Sequence, residues 1–347
     1  MNSRFNPGRR SAIRFRMTEP TVTRAKISML ELVFPPVSNQ EAVWFREVPE
    51  VEEILRQSDF YIIGGRAEIK FSDFEKDAAD ATLSFTVSVE GGPSDYVTLH
   101  IKDLPGIGEA NPDTLYIELG PKFVRFWDGP VKEDGSEVLE WFTTEKLLWS
   151  RAHEWSGIEG LDRHADLAVY DLLYVGIART GDSFDRLIAK GHHARTAILA
   201  NEPQRFPGAR VTDETYLFLF RAESLVMQTF EPEHDFQDSD FEDNLDRKHV
   251  VADAEKAFVS MLKPDYNKIR FAQYPKGSDG LYGAGFLRYG YLINEDVTFN
   301  TAQGRVRGAR DPQGFISNAA DFIFVDGDDV RLMVAGVDFP NHASRIP

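Results

Sequence analysis

Apolar residues alternate with polar ones in short runs along the first third of the chain. KISMLELVF (26–34), ATLSFTVSV (81–89), DYVTLHI (95–101) and TLYIELGPKFVRFW (114–127) all carry this period of two, and DFYIIGG (59–65) is nearly continuous. With Gly, Pro and Asp between them, they predict β-strands. One helix, VPEVEEILRQ (48–57), interrupts the series. From Ala168 the period changes: a strand, AVYDLLYVGIA (168–178), a turn, RTGDS, and a helix, FDRLIAKGHHARTAILA (184–200), precede a second strand, TYLFLFRAE (215–223). A second helix, RKHVVADAEKAFVSMLK (247–263), ends at Pro264. Beyond it come the Gly- and aromatic-rich GLYGAGFLRYGYLI (280–293) and a hairpin, DFIFVDGDDVRLMVAG (321–336), turning at Asp326-Gly327.

The pattern divides the chain into a basic tail (1–20), a β-rich N-terminal domain (21–135), a β-α-β-α module (136–270) and a β-rich C-terminal extension (271–347). The fold class is α+β. No catalytic constellation is visible in the N-terminal domain.

Three features of the β-α-β-α module carry chemistry. Strict alternation along AVYDLLYVGIA puts Tyr170, Tyr174 and Gly176 on one face. That arrangement suits either ordinary strand packing or a gap, lined by phenol hydroxyls, that a substrate backbone enters. On the next helix Arg186, Lys190 and His193 fall on one stripe, with His192 and Arg195 nearby. Such a stripe is either a solvated face or a grip for phosphate oxygens. Glu255 falls inside the apolar stripe of its helix. A carboxylate in that position needs a cation, a metal or a proton, so a structural salt bridge and a metal ligand are both open readings.

Composition narrows the chemistry. The 347 residues include no Cys, so thiolate metal sites are excluded and any metal is held by carboxylate, imidazole or water, which favours a hard ion. The net charge of -17 argues against general coating of polyanions. The first 16 residues nevertheless hold five Arg and no acid, reading as a tail or a nucleic-acid-binding arm. No apolar run is long enough for a spanning helix and the N-terminus lacks an apolar signal core, so a cytoplasmic protein without membrane contact is expected.

Together, YVG on a strand, Arg186 on the following helix, Glu255 on the second helix and KPDYN closing that helix resemble the GIY-YIG nuclease superfamily over about residues 168–270. EKAFVSMLKPDYN (255–267) is the most specific part. The resemblance implies a metal-dependent endonuclease using one Mg²⁺ or Mn²⁺ on nucleic acid, DNA favoured over RNA, and leaving a 5′-phosphate and a 3′-hydroxyl. It implies that Tyr174 lies near the attacking water, that Gly176 is the motif glycine, that Arg186 stabilises the phosphate, that Glu255 binds the metal and that Asn267 closes the site. Tyr170, His192 and His193 are further candidates for the base, and Lys190 and Arg195 for substrate contact. The GIY half has no clean match near YVG, and the position four after Arg186 is Lys190.

The alternative reading is a catalytically inactive module of the same fold that binds nucleic acid or protein. A third is a scaffold engaging a protein partner through its β-rich N-terminal domain. The loop EPEHDFQDSDFEDNLD (231–246), with eight acids and no Lys or Arg, is expected to be a solvated insertion or a nucleic-acid mimic that obstructs the site.

Overall fold

The computed structural model describes residues 23–108, 115–230, 232–237, 245–314 and 316–340. The basic tail and half of the acidic loop, Glu231 and residues 238–244, lie outside the described residues.

Phe60–Gly65 (FYIIGG) is buried along its whole length, which is why its apolar run lacks alternation: both faces are covered. In chain order the strands of its sheet are β1 (Thr23–Leu32), β2 (Val37–Ser38) and β3 (Phe60–Gly65), then β11 (Val169–Ile177), β12 (Thr215–Thr229), β13 (Arg288–Ile293), β14 (Thr298–Thr301), β15 (Gly304–Arg307), β16 (Phe322–Asp326) and β17 (Asp329–Met333). These ten strands run β15-β14-β11-β3-β12-β1-β13-β16-β17, with β2 on β12. The β1–β13 and β11–β14 pairs are parallel and the rest antiparallel. The β16–β17 hairpin turns at Gly327, whose φ of 60° a glycine adopts without strain.

The fold is mixed α+β and mostly β. Its main sheet crosses both sequence-based boundaries, because β1 and β3 from the N-terminal part and β13 to β17 from the C-terminal part pair into the same sheet as β11 and β12. What stands apart is the segment between β3 and β11. It holds a four-stranded sheet, with β4 (Ile69–Asp77), β5 (Thr82–Val89), β6 (Ser94–His100) and β10 (Ile158–Gly160), and a three-stranded one, with β7 (Tyr116–Gly120), β8 (Phe123–Trp127) and β9 (Val138–Thr143).

Two apolar clusters cover the main sheet. On one face α6 (Arg247–Leu262) sets Val251, Ala254 and Phe258 against Phe60 and Phe220, with the Phe60 and Phe258 rings 5.5 Å apart. On the other, Tyr61, Ile63 and Leu173 meet Phe184, Leu187, Ile188 and Ile198. The last of these belongs to α5 (His193–Asn201), which follows α1 (Glu41–Trp44), α2 (Pro49–Leu55), α3 (Thr144–Ala152) and α4 (His164–Leu167) in the chain. Among the described residues no helix is long and apolar enough to cross a membrane.

Candidate active site

The alternation expected in β11 fails at a β-bulge. Leu172 pairs with Gly64 and Tyr174 with Ile63, leaving Leu173 as the extra residue. The bulge reverses the phase, so Tyr170 packs in the cluster under α6 while Tyr174 packs in the opposite one. Tyr170 is therefore not in the site. Its hydroxyl accepts a hydrogen bond from Arg66 at 2.8 Å, within a buried group that also contains Glu145 and Tyr216.

The tyrosine that faces Tyr174 comes from β3. Tyr61 lies opposite Gly176 in the register, and its ring stacks on Tyr174 with centroids 6.1 Å apart and planes at 22°. A Cβ on Gly176 would sit 2.6 Å from the Tyr61 hydroxyl and 2.7 Å from the Tyr174 ring. The glycine makes room for two protein rings, not for a substrate backbone.

Arg186 Nε donates to Tyr61 Oη at 3.0 Å, and His192 Nε2 lies 3.0 Å from the same oxygen. Because His192 Nδ1 accepts the Arg195 N–H as the cap of α5, its proton is on Nε2 and is donated to Tyr61. Tyr61 Oη thus takes two donors, and its own O–H turns to Tyr174, its hydrogen-bond partner. Burial holds both phenols above their ordinary range, so each is neutral, with the Glu255 charge adding to the effect on Tyr174. Burial, then the nearby Arg186 charge, lowers His192 to about 4, which keeps the imidazole neutral near pH 7.

The expected helix 184–200 is broken. Arg186 is on a π-helical turn, Asp185–Ala189, and Gly191, with φ of 76°, resets the chain before α5. That break invalidates the continuous helical phase: His192 turns inward and is 8% exposed, while His193 is exposed on the rim of the site cavity. Lys190 pairs with Asp185 at 2.9 Å. Arg195 points away from the site, bonding Asn39 and the Leu187 carbonyl. Neither Lys190 nor Arg195 joins the cluster. The π turn is braced by Arg56, 2.8 Å from both Asp182 and Asp185, and by Arg46 on the Ile188 and Ala189 carbonyls.

Glu255 reaches this group around an open sheet edge. β14 pairs with β11 only at Val169–Asp171, so the rest of that edge needs other partners. Asn267 supplies them: its Oδ1 accepts from Val175 N at 2.9 Å and its Nδ2 donates to Val175 O at 2.7 Å, while Tyr266 N donates to Leu173 O at 3.1 Å. Asn267 therefore acts as a clamp that fastens the segment after α6 to the strand carrying Tyr174, with both ends of its amide engaged on Val175.

These elements enclose a cavity of about 410 Å³ lined by Tyr174, Arg186, His193, Glu255 and Lys268, among others. Burial raises the Glu255 carboxyl above its ordinary range, opposed first by Arg179 and then by Arg186. Glu255 has no hydrogen bond or ion pair among the described residues, and no group of three or more metal-type ligands occurs there. One carboxylate on a water-accessible wall still fits a Mg²⁺ ion that keeps several waters and takes further oxygens from phosphate. Sequence reasoning missed Tyr61, His192's inward orientation and Arg179. The signal for Tyr61 was a second strand with Tyr and Gly close together, FYIIGG. Comparison with family models, curated proteins and solved structures finds no match.

Proposed function

We propose that the chain is a metal-dependent endonuclease with a GIY-YIG-like site, in which Tyr61 takes the part of the first tyrosine. The observation that carries this reading is that Tyr174, Arg186 and Glu255, from separate elements, line one cavity, with buried Tyr61 behind them, stacked on Tyr174 and bonded to Arg186. Packing alone gives no reason to gather a neutral phenol, a guanidinium and an unpaired carboxylate on a solvent-accessible wall.

The chemistry follows from the groups. The neutral Tyr174 hydroxyl orients a water toward phosphorus, and the proton leaves through Tyr174 with His193 on the rim as the accepting base. Tyr61, pinned by Arg186 and His192, fixes the Tyr174 ring. Arg186 stabilises charge building on the phosphate oxygens. Glu255 would hold one Mg²⁺ or Mn²⁺, which when bound stabilises the departing oxygen. The expected products are a 5′-phosphate and a 3′-hydroxyl.

The test is incubation of the purified chain with Mg²⁺ and duplex DNA, single-stranded DNA or RNA, beside Glu255→Gln. Metal-dependent cleavage lost in the variant supports the reading. Nucleic-acid binding with no cleavage would replace it with the inactive binding module.

A further inference from the structure

The turn that follows β11 is fastened at both ends. Ala178 N donates to Asp59 O and Ser183 N to Ser58 O, each at 3.1 Å, so Arg179 leaves the sheet from a fixed backbone while its side chain is exposed. It stands where two cavities meet: the site cavity and a second of about 470 Å³, with Ile177 and Arg179 lining both.

The carboxylates on the walls of the second cavity are already taken. Arg56 bonds Asp182, Arg247 pairs with Asp59, Lys256 holds Asp279, and Asp246 accepts the Lys248 N–H at the start of α6. Arg179 makes no hydrogen bond or ion pair among the described residues, and Lys248, on the wall of the second cavity, likewise has no carboxylate partner there. Burial raises the Glu255 carboxyl, and Arg179 is the first of the charges that oppose it, ahead of Arg186. Arg179 is thus within electrostatic reach of Glu255 without bonding it. A guanidinium serving only to neutralise that carboxylate would pair with it directly; this one keeps its whole fork of donors unused, at the mouth of the site, in the form that matches phosphate oxygens.

We infer that Arg179 grips the phosphate next to the scissile one, so that the substrate strand passes from the site cavity into the second, toward Lys248. The assignment rests on the nuclease reading and adds the path of the strand to it. Arg186 and Glu255 act on the phosphate that is cut, and Arg179 positions that phosphate by holding its neighbour. A contact of this kind fixes the register of the strand and reads no sequence.

The test is a methylphosphonate scan. The cut in a defined oligodeoxynucleotide, single-stranded or duplex as the parent requires, is mapped in Mg²⁺, and one uncharged methylphosphonate is then placed at the neighbouring position on either side. With the parent, one of the two replacements should lower kcat/KM about tenfold. Arg179→Gln should be slower by that factor on the all-phosphate strand and should lose nothing further at the same position. Arg179→Lys should recover part of the loss, because a point charge keeps the attraction without the fork. In the Glu255→Gln chain without divalent metal, adding Arg179→Gln should reduce the slope of log affinity against log salt by about 0.8, the share of one phosphate. Losses that multiply independently at both neighbouring positions, or an unchanged salt slope, would overturn the anchor while leaving the nuclease reading in place. No cleavage by the parent of any DNA or RNA would remove the nuclease reading, and the anchor with it.

Discussion

Tyr61 of β3 and Tyr174 of β11 stack over the bare Cα of Gly176, and Arg186 is bonded to the first of them at 3.0 Å. Because Tyr61 joins Arg186 and His192, Tyr61→Phe should release both while keeping the ring. Cleavage should fall about a hundredfold, with substrate binding changed much less. Tyr170→Phe, in contrast, should leave the rate unchanged and cost about 1–2 kcal/mol of stability, because Arg66 loses a buried acceptor. Single-turnover rates and urea unfolding on both variants decide the matter. Equal rate losses would return Tyr170 to the site.

Gly176→Ala places a methyl 2.6 Å from the Tyr61 hydroxyl, so one ring must move. The expected outcome is a loss of about 1–3 kcal/mol in stability together with loss of cleavage. A fully active, equally stable alanine variant would show that the rings have freedom they are not built with.

For Glu255, pH separates two effects. Burial raises its pKa, so the ionised form needed to hold a cation is lost early as pH falls, and cleavage should rise with pH on the acid side. Stability runs the other way: the contribution of the neutral carboxyl is fully present below the ordinary carboxylate range and is lost as pH rises through the raised value. Glu255→Gln should therefore abolish cleavage and unfold no more easily than the parent in neutral solution. A rate unchanged by the substitution would remove Glu255 from the chemistry.

Glu295 offers a stability test away from the site. Burial pushes it to about 8 from 4.5, and its Oε1 accepts from Leu32 N at 2.8 Å, a bond that glutamine can keep. As pH climbs from 4.5 toward about 8 the parent should lose stability relative to Glu295→Gln, on the order of 1 kcal/mol per pH unit, levelling off beyond. Thermal unfolding across that range would reveal the gap, and parallel curves would contradict it.

The sequence made α6 and its Glu255 legible, because a 3.6-residue pattern closed by Pro264 depends only on local spacing. The β16–β17 hairpin was legible for the same reason, through its Asp-Gly turn. The assignments that failed depended on breaks in period. One extra residue at Leu173 inverted the faces of β11, and Gly191 cut the expected helix ahead of His193. Tyr61 was out of reach for a different reason: it lies 125 residues before Arg186, and no local pattern connects them.

The antiparallel pairing of β3 with β11 makes everything between them, topologically, the loop of one β-hairpin. Loop-closure entropy grows only with the logarithm of length, so enlarging a short turn to this size costs roughly 3 kcal/mol. The neck is stapled where the loop begins: Arg66 Nη1 donates at 2.8 Å to the carbonyl of Leu167, 101 residues away, and its other amino group pairs with buried Glu145. A chain in which a tight turn replaces residues 67–167 would keep the β3–β11 register that sets Tyr61 beside Tyr174, but would leave buried Arg66 without Glu145 and the Leu167 carbonyl. The two rings are thus held by a joint that carries a long inserted segment, and that segment also backs the sheet, since its Phe85, Phe126 and Leu147 share one apolar core with Phe218 and Phe258.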